Sequence, residues 1–186
     1  MEPSTKTTHV VAVREYIIKK FGPDALDKIY QQMKPQDKEI ASKHVSGTLW
    51  YPERVAVNFL AAAEKVFGRG DYELCRQIGY DVAKMTIPKF YQVFIRLGEP
   101  KFILKNAERL WKQTHNHARF ESAPTGPKSS VGRVIDFAFP HKAYCATMEG
   151  YTQAVLEMSG CKNVSTRRTK CVVDGDDCCE IESSWE

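Results

Sequence analysis

The chain has 186 residues, 42% apolar and 27% charged, with a formal net charge of +4. That length suits one domain with a substantial core, and the balance excludes disordered, collagen-like and coiled-coil chains. No run approaches the ~20 apolar residues of a membrane helix, the amino terminus lacks the apolar stretch of a secretory signal, and the charge is too small to argue for nucleic acid. The expectation is a single cytoplasmic domain over residues 1–186, with no membrane span and no nucleic-acid partner.

Residues 8 to 112 read as helical. A first helix, about 8–21, stops at Phe21-Gly22-Pro23, glycine after the last turn with proline beyond it. A short one follows from Asp24 to Met33, with Pro35 expected to end it. Pro52 opens a clearer helix, in which Val55, Phe59, Ala62, Ala63 and Val66 recur at three- and four-residue spacing. Asp71 is the expected N-cap of the next, whose stripe is Leu74, Ile78, Val82 and Met85; Cys75 at its edge reads as packing. Pro88 begins a helix carrying Phe90, Val93, Phe94 and Leu97, and Pro100 begins the last of the series, with Phe102, Ile103, Leu110 and Trp111.

After Lys112 the pattern changes. Alternation of His115, His117, Arg119 and Glu121 with their neighbours predicts a strand over about 114–121, with the histidines on a solvated face. Residues 122–127 read as a turn, 131–139 as a buried strand and 141–158 as a helix with Tyr144, Met148, Tyr151, Val155 and Met158 on one stripe. Strands at 163–173 and 178–185 flank the turn Asp174-Gly175-Asp176-Asp177. Cys179, Ile181 and Trp185 share its packed face, while Cys178 points outward with Glu180, Glu182 and Glu186. Lys162, Arg167, Arg168 and Lys170 are expected to pair with the acidic strand rather than to bind phosphate. The fold class expected is α+β: a helical layer over about 8–112, then a four-stranded antiparallel sheet over 113–186 with a helix between its second and third strands.

Five of the six cysteines lie in the carboxy-terminal quarter of the chain. With no export signal they are expected to be reduced, hence either buried packing or a metal site. Cys145, Cys171 and Cys179 can meet over the packed face if the hairpin loop spans 174–176, and His141 or Cys161 could complete a tetrahedral zinc site.

The run Tyr144-Cys145, Gly150-Tyr151, Thr169-Lys170-Cys171-Val172-Val173-Asp174-Gly175-Asp176-Asp177-Cys178-Cys179-Glu180 resembles the 4-vinyl reductase domain of aromatic-sensing transcription activators. Those sensors pattern as Tyr-Cys, Gly-Tyr, Glu-x-x-Cys, then Gly and Cys, and the three cysteines and the glutamate hold a structural zinc. The resemblance implies Cys145, Cys171 and Cys179 as thiolate ligands, with Arg168 where the glutamate stands. The middle of the chain, from Tyr51-Pro52 to Trp111, is similar to a myxobacterial paralogous family of unassigned role. Both families belong to the superfamily shared with haem-nitric-oxide sensors and TRAPP trafficking subunits.

The resemblance implies a non-enzymatic sensory module binding a small apolar or aromatic molecule in an interior pocket. Phe94, Trp111, Tyr144, Met148 and Tyr151 are the candidate lining residues. The alternative is a dimeric scaffold of TRAPP-like fold, a homodimer or a protein partner then taking the place of the ligand. Haem is not expected. The position comparable with the haem members' histidine is Lys112, with His115 three residues on, and no Tyr-x-Ser-x-Arg run is present to clamp propionates. No nucleophile elbow or phosphate loop is visible either; Gly68-Arg69-Gly70 lacks the rest of a dinucleotide fingerprint.

Overall fold

A computed structural model describes residues 2–46, 48–87 and 100–186, with side chains from residue 103 onward in the last stretch. Its first element carries no strand signal of its own: Ser4–Lys6 (β1) pairs antiparallel with Trp50–Pro52 (β2), Thr5 opposite Tyr51. Two three-residue strands cannot stand alone in water. This ribbon is held from outside: the Thr7 amide bonds Leu49 O, Asn116 Oδ1 accepts the Ser4 amide, and Thr5 bridges to His115.

The helical layer follows largely as expected. Thr7–Phe21 (α1) ends on Gly22, whose φ of 90° lets its amide return to Ile18 O. Ala25–Tyr30 (α2) is followed by a separate helix, Pro35–Ala41 (α3), with Pro35 in its first turn. The preceding helix does stop before Pro35, at Tyr30 rather than Met33, and what the sequence reading did not give is that Pro35 opens a helix of its own. A proline's missing amide and preset φ suit the first turn as well as they stop a preceding one. Glu53–Phe67 (α4) and Glu73–Thr86 (α5) bury Val55, Phe59, Leu60 and Ala63, and Leu74, Cys75, Ile78 and Val82. Tyr72, not Asp71, holds the N-cap position of α5, in the left-handed region at φ 63°; Asp71 Oδ1 instead accepts the Glu73 amide. Cys75 is fully buried, its thiol against Leu60 O and Glu64. The expected helix from Pro88 through Phe94 lies outside the described residues; Pro100–Thr114 (α6) carries Trp111 into the core.

The four-stranded sheet has the order β3-β4-β6-β5, all antiparallel, formed by Arg119–Gly126 (β3), Ser129–Ile135 (β4), Ser165–Lys170 (β5) and Cys179–Ser184 (β6). Lys142–Met158 (α7) lies between β4 and β5 in sequence, as expected. The α+β architecture read from periodicity thus stands.

Several boundaries differ, the strand expected over 131–139 being Ser129–Ile135. The first strand begins at Arg119 and runs through 122–126, because Ser122 and Ala123 find ladder partners in Gly132 and Val131. In the hairpin, a register shift between Arg168 and Lys170 is followed by a 3-10 turn, Val172–Asp174, and Cys171 leaves the ladder to face the core. Cross-strand charge pairing is present: Arg167 meets Glu182 at 3.1 Å, and Lys170 meets Asp177 at 3.2 Å. Cys178 and Glu180 are nonetheless buried, against expectation. Glu180 tolerates this because Arg133 at 2.6 Å and the Thr169 hydroxyl at 2.8 Å donate to it.

One core runs from helices to sheet, through Ile17, Ile29, Val55, Ile78, Trp111, Val134, Cys145 and Cys179. Helices α5 and α7 cross through two glycines at its centre. A Cβ on Gly79 would stand 1.9 Å from Thr147 O, and one on Gly150 would stand 1.8 Å from Arg76 O.

Candidate functional site

The segment after α6 turns His115 into the interior and leaves His117 half-buried, rather than placing both on a wet strand. His115 is 8% exposed and stacks on Trp111 with centroids 3.8 Å apart. Its Nε2 lies 3.2 Å from Tyr144 Oη and 3.4 Å from Thr5 Oγ1, and its Nδ1 is 2.9 Å from Thr114 Oγ1. Both ring nitrogens of His115 are therefore engaged. His117 differs: both of its ring nitrogens are buried without a hydrogen-bond partner, and its ring tilts against Phe137 at 5.3 Å. His9 of α1 adds a third imidazole, 6.2 Å from His115 and 5.9 Å from Tyr151.

Burial dominates the electrostatics here. It pushes His9 down to about 4 and His115 to about 3, and it lowers His117, so these imidazoles are neutral at physiological pH. Glu53, 1% exposed at the start of α4, is pushed up to about 8 by the same desolvation. Its Oε1 comes within 3.8 Å of His115 Nε2, but with His115 neutral this is not an ion pair, and Oε2 has no partner. Its place at a helix N-terminus favours the anion by only about 0.3–1 kcal/mol, too little to outweigh burial. The result is a buried, uncharged cluster of three imidazoles, two phenols and a carboxyl. Sequence reasoning missed it because His9 and Glu53 carry no spacing signal and the 115–117 alternation mimics an exposed strand.

The thiols meet as the sequence suggested. Cys145 Sγ lies 3.3 Å from Cys179 Sγ and 3.9 Å from Cys171 Sγ, all three buried and within 4.8 Å of one another. The Cys145 thiol donates to Cys179, which holds Cys179 below the ordinary thiol range, and the Arg168 guanidinium adds a smaller push; Cys145 is pushed up in return. Neither candidate fourth ligand arrives. His141 Nδ1 accepts the Ala143 amide at 3.1 Å and caps α7, while Cys161 packs with Leu156 and Val164 in a separate cluster. Arg168 lines the same small void as Cys145 and Cys179.

Of the expected pocket residues, Phe94 lies outside the described residues. Tyr144 stacks on Phe137 at 4.4 Å and Trp111 on His115, both within the core, with Tyr151 and Met148 packed against it. The void beside Phe137, Tyr144, Met148 and Cys145 measures about 10 Å³, room for about one water and far below the ~300–1,000 Å³ of a ligand pocket. These side chains pack against one another rather than line an open pocket.

The model of the haem-NO-binding family matches residues 6–128. The chain belongs to the haem-NO-binding family. Solved H-NOX structures share its fold: an H-NOX protein from S. oneidensis in the Fe(II)NO ligation state, at TM-score 0.72, 10% identity and coverage of 97% of this chain and 99% of that one. The Cs H-NOX variant with 4-cyano-L-phenylalanine at site 5 is similar at TM-score 0.69 and 13% identity over 97% and 96% of the two chains. An oxygen-binding H-NOX domain related to soluble guanylate cyclases is similar at TM-score 0.64 and 11% identity over 97% and 95%. No curated protein matches the sequence significantly.

Membership in the haem-NO-binding family makes the chain a ligand-binding sensory module, and it corrects three expectations. The kinship is with haem-NO-binding domains, not the 4-vinyl reductase domain or TRAPP-like scaffolds: the motif that suggested the latter lies beyond residue 128, outside the matched segment. Structural zinc does not stand: the group of the matched family is haem, and among the described residues neither His141 nor Cys161 joins the thiol trio. Haem, not expected from Lys112 and the missing Tyr-x-Ser-x-Arg run, is the group the family takes. The imidazoles come instead from α1 and from the segment after α6. No described helix is long and apolar enough to cross a membrane.

The chemistry of the donors fits haem: a neutral, buried imidazole is a common axial ligand to its iron, and His117 offers two ring nitrogens that nothing else uses.

Proposed function

We propose that this chain is a non-enzymatic sensory module in which the imidazole cluster would hold haem, His117 supplying a nitrogen to its iron, with a small apolar gas such as NO as the ligand sensed. The observation that carries this reading is the pair of orphaned, buried nitrogens on His117, within the family-matched segment. Bound haem would supply an iron centre for the gas. The chain's own part is to present a neutral imidazole, keep water out with Phe137, Tyr144 and Trp111, and hold the neighbouring His115 through Tyr144 and Thr5 so that it does not compete. Room for the macrocycle requires the Phe137–Tyr144 stack to part.

Titration of the purified protein with hemin, followed in the Soret region, checks this. Saturable binding is expected, with an NO-dependent shift after reduction. His117→Ala should weaken binding by about 1.4 kcal/mol or more, a factor of ten, while His115→Ala leaves the Soret position unchanged. Hemin binding that His117→Ala does not alter, or no saturable binding at all, defeats the reading.

The thiol trio supports a second, separate reading: Cys145, Cys171 and Cys179 as ligands of a soft metal ion that accepts three thiolates, Arg168 offsetting their charge. Elemental analysis of protein purified without added metal decides it. Near-stoichiometric metal lost in Cys145→Ser supports it; metal-free protein rules it out. In that case Cys145→Ser is a packing change at a buried site and costs about 1–3 kcal/mol.

A further inference from the structure

A cleft of about 670 Å³ lies between the α2–α3 turn, α4, the Gly68–Tyr72 loop and the N-cap of α7. This is the size of a site for a small organic molecule. Its carboxylates are already spent. Asp37, 1% exposed, is paired with Arg54 and accepts from Asn58 at 2.7 Å. Glu64, 5% exposed, accepts the amides of Gly70 and Tyr72 at 3.0 and 3.1 Å, and so shapes the loop that forms one wall.

What remains facing the cleft are donors. Lys34, Lys65 and Arg69 line it, and among the described residues none meets a carboxylate within ion-pair distance. His141 Nδ1 accepts the Ala143 amide, which places the proton of the neutral ring on Nε2, as a donor. Burial lowers the pKa of His141, so that neutral form is the resting one. Tyr72, set at φ 63° by the loop, stands edge-on to His141 with centroids 6.4 Å apart and gives the cleft an aromatic wall. Met33 and Ala62 form an apolar floor.

We propose that this cleft is a binding site for a small organic anion, one bearing a phosphate or carboxylate group that meets Lys34, Lys65 and Arg69 while its body lies on Tyr72 and Met33. Three cations, beside one carboxylate paired with Arg54 and another whose oxygens already accept two backbone amides and a thiol, favour an acceptor-rich ligand over a cation. The site is separate from the imidazole cluster, and its occupancy does not depend on haem.

Isothermal titration with ATP, with citrate and with uncharged adenosine tests it on the whole protein, with and without hemin. Binding of ATP or citrate, weakened by added salt and weakened about tenfold or more in Lys65→Ala/Arg69→Ala, is the expected result. The phosphate and carboxylate arms separate the two sources of the anion. Circular dichroism and melting of the double variant confirm that these exposed positions leave the fold intact. Binding of neither anion at about 1 mM, binding that the double variant does not weaken, or adenosine binding as well as ATP overturns the proposal.

Discussion

Gly150→Ala is expected to lower stability by about 3 kcal/mol or more, moving the melting midpoint down by roughly 6–12 °C for a chain of this size. The added methyl would stand 1.8 Å from Arg76 O and 2.9 Å from the Tyr80 amide nitrogen, both backbone atoms of the facing helix that cannot swing aside. Helices α5 and α7 would have to separate by more than an ångström. That opens the core around Ile78, Cys145 and Ala146. Gly79→Ala meets Thr147 O at 1.9 Å and should cost a comparable amount. Since both substitutions force the same pair of helices apart, their effects should combine to less than the sum. Alanine raises helix propensity at each position by about 1 kcal/mol, so the clash must exceed that gain. Midpoints within about 2 °C of the parent for both variants would show that the two helices do not pack this closely.

The second large effect concerns Glu53. Its carboxyl is raised from 4.5 to about 8 by burial, so between those values the folded chain holds a proton that the unfolded chain has released. Stability therefore falls as pH rises through this window, by about 1.4 kcal/mol per pH unit for a single group. The imidazoles act oppositely. His9 and His115 have folded values near 4 and 3, below the 6.5 of the unfolded chain, and below pH 6.5 the unfolded state takes up protons that the fold refuses. Their contribution is complete above pH 6.5 and is lost as pH falls toward 4.

Glu53→Gln keeps the shape of the protonated side chain and removes the titration. Parent and variant should differ little at pH 4.5. The variant should then gain on the parent progressively, reaching several kcal/mol at pH 9, as measured by urea midpoints across the range. Taking the difference between the two proteins cancels the histidines and Cys179, which titrate in both. Parallel curves would show that Glu53 is not a buried neutral acid.

Much of this architecture was legible in the primary structure, for reasons that can be named. The helix at 53–67 announces itself because Val55, Phe59, Ala62 and Ala63 sit three and four apart, and a helix buried on one side needs that spacing. The hairpin is legible because Asp174-Gly175 supplies a left-handed turn position, Gly175 at φ 101°. The meeting of Cys145 with Cys171 and Cys179 follows from a helix lying over a hairpin. Cys178 and Glu180 were misplaced because strict alternation assigns each face of a strand one environment. Here the register shift at Thr169 and the reach of Arg133 supply partners on what should have been the wet side.

The family was misread for a related reason. A compact run of cysteines dominates any reading by motif, whereas the haem-NO-binding match rests on residues 6–128, where the signal is diffuse and carried by helices. His115 and His117 looked solvated because their alternation with Asn116 and Ala118 is local. Nothing nearby in the chain reveals that β1, arriving from the far end of the sequence, covers His115, or that His117 packs against Phe137.

Unaided, then, the order of amino acids determined most of the helices and strands and the α+β layering, because these depend on periodicities and turn residues within about twenty positions, and it suggested that Cys145 meets Cys171 and Cys179, 26 and 34 positions on. Tertiary structure alone decided that His9, Glu53, His115 and Tyr144 share one dry cluster, that Arg168 lines the same void as Cys145 and Cys179, and that Lys34, Lys65 and Arg69 face a common cleft. Those outcomes hang on burial and on contacts between residues dozens of positions apart, and the desolvation that keeps Glu53 and His115 uncharged has no signature along the chain.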